Sequence, residues 1–448
     1  VGSEMCIRDR TWPAVNVNYS VDINGKGGIL DIAYDYFYKD LSKLSIFDAT
    51  IYNGSQSTLI DTYRFRRDNQ FNQPVHTGSI DFSKELKRDI GIDVGAKISL
   101  LEKESETDFD DFVSGEYVNN VAKTDAFEYH EYIYAGYANW RKAFSGWKLN
   151  MGLRVEFADI QQDYFWEGNI IKSKNVNIFP SFNLYKQFGE ANSFRMGYNR
   201  GLSRPTLVQL FPFITEISPY LITTGDPALQ PQMDNIVSME FIFSNDYSVY
   251  ANYNVAKNSI NSVFIEEEEA LYNLTYANFE RSHFFNFGAS AGTKLNEWWQ
   301  LGADVNFYYD KYNAKIEEKE ISRGGAAVAF DVYSQFSLPK EFFIDVVGSY
   351  ASPRYSSIEL FKSGGQLDVA ISKHFFKNQF TVKIQALDIL RTKKIETSSN
   401  YLNLNTNYLE YSDTRRFEIG FTYRFKNGLK FSTPKNNQSN KEIIQRSR

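Results

Sequence analysis

Between Ala14 and Phe425 the chain keeps returning to a two-residue rhythm, which limits the fold more than any other feature. Val15, Val17, Tyr19, Val21 and Ile23 alternate with Asn16, Asn18, Ser20 and Asp22. Successive side chains of a strand point to opposite faces, so such a run sets one face in an apolar medium and the other in water. The pattern recurs in Ile90, Ile92, Val94, Ala96, Ile98 and Leu100, in Leu149, Met151, Leu153, Val155 and Phe157, and in Phe417, Ile419, Phe421, Tyr423 and Phe425. Short turns are expected at 24–27, 87–88, 145–146, 189–191, 245–246, 339–340 and 377–378. Longer connections at 102–125, 163–174, 202–232, 258–271, 312–324, 352–362 and 391–413 interleave with them. Short turns at one end and long connections at the other fit an outer-membrane barrel; a soluble sandwich has no reason to sort its loops by end.

Composition agrees. Aromatics make up 16% of the 448 residues, with 30 Tyr and 37 Phe, yet the mean hydropathy is negative. Apolar lipid-facing residues alternating with polar lumen residues, between aromatic girdles, produce that combination. No run of about 18 apolar residues is present, which excludes helical spans. No fixed-period repeat supports a soluble propeller or solenoid. A net charge of −6 leaves no basic footprint for nucleic acid. The first ten residues, VGSEMCIRDR, share no pattern with the rest and resemble translated sequencing-adapter read-through, so they are set aside. They contain Cys6, the only cysteine, which leaves the remaining chain without disulfide or thiol chemistry. The expected organisation is 1–10 artefact, 11–425 barrel and 426–448 polar periplasmic tail.

One stretch departs from the rhythm. Tyr198 to Phe243 holds Pro205, Pro212, Pro219, Pro227 and Pro231, five of eleven prolines, between two alternating segments. Proline lacks an amide donor, so this density is expected to form a long ordered loop outside the ladder, and loops of this length usually carry function. Its residues Ser203-Arg204-Pro205, Leu210-Phe211-Pro212-Phe213 and Gly225-Asp226-Pro227-Ala228-Leu229-Gln230-Pro231, followed by a strand containing Glu240, resemble the SRP, L-x-PF, GNPxLxPE signature. That signature belongs to TonB-dependent outer-membrane receptors of the Bacteroidota type. Asp226 stands where Asn is usual and Gln232 where Glu is common.

The resemblance implies an all-β transmembrane antiparallel barrel of 22 strands, of which about 19 are counted here, beginning near the fourth. A barrel lacking strands has an open edge that lipid cannot satisfy, so the chain reads as an N-terminally truncated fragment. The resemblance also implies import of a scarce extracellular solute, peptide or glycan. The TonB–ExbB–ExbD complex would act through a plug preceding Thr11. Further implied partners are outer-membrane lipid and the barrel assembly machinery, which would read the terminal aromatic strand. A plugless passive channel or adhesin-like barrel stands as the alternative.

Catalytic constellations are weak. His76, His130, His283 and His374 lie on separate expected strands without metal-ligand spacing, and neither a nucleophile elbow nor a phosphate-binding glycine loop is present. No enzyme and no cofactor is therefore expected. Arg204, Phe211, Phe213 and Tyr220, in the proline-rich loop on the extracellular side, are the candidate ligand contacts, with packing of the loop onto the barrel mouth as the competing role. Asp108, Asp110 and Asp111, with Glu116, and separately Glu266 to Glu269, could hold a cation such as calcium, although neither has EF-hand spacing; solvated charge is the simpler account.

Overall fold

A computed structural model describes residues 2–23, 27–52, 59–121, 123–165, 168–218, 220–244, 246–268 and 271–425. Part of the turn expected at 24–27, Pro219, Asn245, Glu269 and the tail 426–448 lie outside the described residues. Seventeen strands run in sequence as an antiparallel meander. They are β1 (Ala14–Ile23), β2 (Gly28–Tyr52), β3 (Leu59–Leu86), β4 (Ile90–Val113), β5 (Asp125–Phe144) and β6 (Trp147–Tyr164). Next come β7 (Asn169–Phe188), β8 (Asn192–Ser203), β9 (Gln232–Phe243), β10 (Tyr247–Glu268), β11 (Leu271–Asn296) and β12 (Trp299–Ile316). The last are β13 (Lys319–Leu338), β14 (Phe342–Ala351), β15 (Gly364–Phe375), β16 (Phe380–Leu387) and β17 (Arg416–Tyr423). Four further short or peripheral strands bring this sheet to 21. One of them, Gly2–Thr11, pairs with Asp40–Asp48 of β2, so the opening residues are held in the ladder. Among the described residues, β1 and β17 do not pair with each other and the barrel is not closed.

The turns at one end obey local chemistry. Ser145 (φ 47°) and Gly146 (φ 77°) both occupy the left-handed region, as the two-residue turn between β5 and β6 requires.

The other end differs from the sequence expectation. The connections at 102–125, 163–174, 258–271 and 312–324 are largely strand: β4 runs to Val113, β6 to Tyr164, β10 to Glu268 and β12 to Ile316. The connections at 352–362 and 391–413 supply a separate four-stranded sheet, Arg354–Ser356, Glu359–Phe361, Ile395–Tyr401 and Leu404–Glu410. The physical reason lies in β4. Its outward row is apolar from Ile90 to Leu100 and then becomes Glu102, Glu104, Glu106 and Asp108. The pleat continues but the apolar half of the alternation stops, so the sequence signal vanishes while the ladder persists.

That switch marks the membrane boundary. About 9–11 residues of a tilted strand cross the hydrocarbon, and Ile90–Leu100 fits that length. On β6 the exposed row Met151, Leu153, Val155 and Phe157 gives way to Asp159, and on β12 Val305, Phe307 and Tyr309 give way to Lys311. Tyrosines and histidines gather near this edge: Tyr34 Oη lies 2.9 Å from His76 Nδ1, and Tyr253 Oη 2.9 Å from His283 Nδ1.

Above the band the buried residues change sides and face inward. Val263, Phe279, Tyr312, Ile316, Ile358 and Tyr401 form one cluster that ties the tall hairpins to the small sheet. Tyr401 Oη accepts from Phe264 N (2.6 Å) and donates to Phe264 O (3.0 Å). A second cluster joins Phe37, Val75, Leu101, Phe127, Tyr129 and Tyr164 of the barrel wall to Leu207, Leu210 and Leu229 of the proline-rich stretch. One of the two principal described cores therefore lies where that stretch meets the concave face.

Candidate functional site

The proline-rich stretch is built as a strap across the barrel mouth, and it contains short elements where sequence alone reads loop. Thr206 caps a four-residue helix, α1 (Leu207–Leu210): its Oγ1 accepts from Gln209 N at 3.3 Å, and Thr206 N donates to Gln209 Oε1 at 2.8 Å. This reciprocal arrangement satisfies two amides that a helix start leaves unpaired. Two short strands follow, Thr215–Ser218 and Leu221–Thr223, and the second runs parallel to Tyr272–Leu274 of β11. Gly225 closes the return: its amide donates to Phe211 O (2.5 Å) and Asp226 N donates to Gln209 O (2.7 Å). A Cβ at Gly225 would lie 2.5 Å from both carbonyl oxygens, so only glycine permits this approach. The two departures from the signature are locally satisfied. Asp226 Oδ1 accepts from Ala228 N at 2.8 Å, as a carboxamide oxygen would, and Gln232 bridges Asp234 and Ile260 N.

The strap is fastened on opposite sides. Toward β3, Thr215 Oγ1 accepts from Arg67 Nη1 (2.7 Å), while Glu216 accepts from Tyr63 Oη and pairs with Lys123 Nζ at 2.5 Å. Toward β11, Thr224 N donates to Leu274 O and Gln230 N to Asn278 Oδ1. Burial and the Glu216 hydrogen bond together push the Tyr63 hydroxyl well above the ordinary phenol range.

The four candidate contacts separate. Arg204 is buried, 8% exposed, and its Nη2 lies 2.9 Å from Glu156 on β6. Arg154 shares that carboxylate. Phe211 and Phe213 stack with ring centroids 5.6 Å apart and line a cavity of about 420 Å3 between the strap and β2–β4. Tyr220 is exposed.

The cavity also brings together residues that sequence reasoning missed. Lys39 and Lys43 of β2, Arg67 of β3 and Lys103 of β4 line it, with Phe71, and no carboxylate is among its lining residues. The Lys103 ammonium lies 4.4 Å from the ring centroids of both Phe71 and Phe211, and Lys39 lies 4.9 Å from Phe71. Both lysines are buried, at 5% and 7% exposure. Burial first, and Lys39 second, push the Lys103 amine down to about 7. Burial also lowers Lys43, with Arg67 contributing, and lowers Arg67 against the opposing pull of Glu216. The inward direction of Lys103 follows from parity, since Ile98 and Leu100 face outward; its meeting with Lys39 requires the register, which the sequence does not reveal.

The acidic candidates do not converge. Strand parity puts Asp108 and Asp110 on one face of β4 and Asp111 on the other. Asp110 pairs with Arg66 at 2.6 Å, and Asp111 accepts from Asn120. Glu266 and Glu267 lie at the end of β10, where Glu267 accepts from Asn273. The group whose ligand atoms lie within 4.8 Å of one another, among the described residues, is Glu128, His130 and Asp163. Register pairs Glu128 with Asp163 and places His130 two residues along the same face.

A meander of long amphipathic strands with a lipid band, short turns at one end and a strapped mouth at the other is an outer-membrane β-barrel. Residues 22–423 match the model of the outer membrane protein beta-barrel family, and the chain belongs to that family. Its place is the bacterial outer membrane. No curated protein sequence matches. Among solved structures, the copper transporter OprC superposes with a TM-score of 0.64 at 11% identity, over 93% of this chain and 65% of that one. The ferric-catecholate import receptor Fiu from K12 E. coli gives 0.57 at 11%, over 93% and 64%. The ferric yersiniabactin uptake receptor FyuA from Yersinia pestis gives 0.52 at 10%, over 88% and 60%. At these identities the likeness establishes the fold. The chain spans under two thirds of the length of each of these three structures.

Proposed function

We propose that this chain is the barrel of a TonB-dependent receptor that imports a scarce extracellular solute. The observation that carries this reading is the strap. A segment with five prolines folds inward across the mouth, is bonded to β3 on one side and β11 on the other, and leaves a cavity of about 420 Å3 beneath it. That volume lies within the usual range for a small-molecule site, roughly 300–1,000 Å3. An adhesin-like barrel has no need of a recess inside its mouth. The described fold resembles that of uptake receptors, and the strap carries the signature residues of the TonB-dependent class. Energy coupling would come from the TonB–ExbB–ExbD complex acting on a plug, and assembly from the machinery that reads the terminal aromatic strand. Arg204 sets the root of the strap, while Phe211, Phe213 and Tyr220 supply binding surface.

The test is uptake by the source bacterium with and without this gene, during growth limited for iron, copper, peptide or glycan. A growth defect on one solute, reproduced by collapsing the proton gradient or disrupting TonB, is the expected result. Constitutive ion conductance of the whole purified protein in planar bilayers, with no growth defect on any solute, would replace import by a passive channel.

A further inference from the structure

We infer that the cavity beneath the strap binds an organic polyanion with a flat ring face, held by Lys103, Lys43 and Arg67 and laid against the Phe211–Phe213 pair. This rests on the import reading and narrows its substrate class.

Three observations point to it. First, the cavity is lined by four cationic side chains and no carboxylate. The larger cavity of about 780 Å3 near the short turns shows the contrast, since it mixes Glu85, Asp89 and Glu240 with Arg141, Lys148 and Arg195. Mixed charge is what a water-filled lumen tolerates; a single sign concentrated in a recess focuses the field on ions of opposite sign.

Second, the charge is buried. A buried cation is costly unless paired, yet no ion pair is found for Lys103 among the described residues, where two rings flank it. The rings compensate in part through their negative faces, but they do not neutralise it. An anion in the cavity would.

Third, Gln73 is fully buried, and neither its amide nitrogen nor its oxygen finds a hydrogen-bond partner among the described residues. It is the register partner of Lys39 and lies between Asn72 and Val75, which face Glu104 and Leu101 of β4. It therefore sits between Lys39 and Lys103. Buried polar groups are nearly always satisfied; Gln73 does not itself line the cavity, so it adds unmet polarity to the wall behind Lys103 rather than a ligand contact. Arg67, whose Nη1 already donates to Thr215 and whose buried Nε has no partner among the described residues, adds positive charge to the same wall. The stacked phenyl rings select a flat partner over a branched one.

The test is equilibrium binding to receptor extracted from outer membranes in detergent, followed by calorimetry. The probes are benzene-1,3,5-tricarboxylate, citrate and maltose. The tricarboxylate should bind saturably, citrate several-fold more weakly, and maltose not at all. Lys103→Met should weaken the tricarboxylate at least tenfold, Lys43→Gln several-fold, and Lys103→Arg should restore most of the affinity. Raising the salt from 50 to 500 mM should weaken it further. If neither anion binds, or if binding is indifferent to both Lys103→Met and Lys43→Gln, the inference is overturned. Lys43 lies near the rim, so its variant decides the matter even if Lys103→Met misfolds. Binding needs neither TonB nor a proton gradient. Retained binding with no uptake therefore sinks the import reading alone, and uptake of a solute with which the tricarboxylate does not compete sinks the polyanion alone.

Discussion

Replacing Lys103 by Met isolates the cost of one buried charge. The folded amine sits at about 7 against an unfolded value of about 10.4. The unfolded chain therefore holds more protons than the folded one between those values, and stability rises with pH across that window. At about 1.4 kcal/mol per unit, the protonated lysine costs on the order of 4 kcal/mol below pH 7. The Phe71 and Phe211 rings return about 1–2 kcal/mol of this through cation–π attraction. Methionine keeps the length and apolar stem, so Lys103→Met should stabilise the barrel by roughly 2–4 kcal/mol at pH 6, and the gain should vanish near pH 10.5. The charged and titratable groups around this amine are Lys39, Lys43 and Arg67 on the cavity side, and Tyr129 and Glu131 on β5. Urea unfolding followed by tryptophan fluorescence at pH 6 and 9.5 measures the difference. A gain that is equal at the two pH values, or a loss at pH 6, would refute the account of an uncompensated cation.

Three further outcomes follow from the same geometry. Arg204→Ala leaves Glu156 with Arg154 as its remaining cation in a buried site and should cost about 1–3 kcal/mol for the lost charged hydrogen bond, read as a lower urea midpoint, whereas Arg204→Met combined with Glu156→Met should recover most of it. Gly225→Ala drives a Cβ into the carbonyls of Gln209 and Phe211; limited chymotrypsin digestion should then cut at Phe211 or Phe213 while the barrel keeps its heat-modifiable mobility, and an uncut strap would contradict the close approach. Phe307→Arg puts a charge on the lipid face at mid-band and should destabilise by about 2–4 kcal/mol in bilayers, against less than 1 kcal/mol for the same residue at Asn313, above the band.

The lower half of this molecule was legible because lipid enforces a binary pattern on it. Ile90 through Leu100 and Met151 through Phe157 announce their faces residue by residue, and the turn at Ser145-Gly146 announces its geometry. Above Leu100 that enforcement ends. Glu102, Glu104 and Glu106 on one face oppose Lys103, Ser105 and Thr107 on the other, and a strand polar on both faces reads as loop. The same loss hid the site. The strap's prolines were visible, and Phe211 and Phe213 do line the cavity. Arg204 looked like a ligand contact and is taken up by Glu156, a partner 48 residues away that only register supplies. Lys39, Lys43, Arg67 and Lys103 carried no motif, because what unites them is adjacency across three strands. Asp163 likewise joins Glu128 and His130, neighbours on one face of β5, only once β5 and β6 are paired.

The height of the wall has a consequence of its own. β3, with 28 residues, is about 90 Å long at the usual rise, while the hydrocarbon needs only about 10 of those residues. The remainder rises beyond the hydrocarbon as a stiff chimney, its hairpins glued by a core that owes nothing to lipid. Its outward residues are released from the lipid's demand for apolar side chains, while the storey below stays under the membrane's rule.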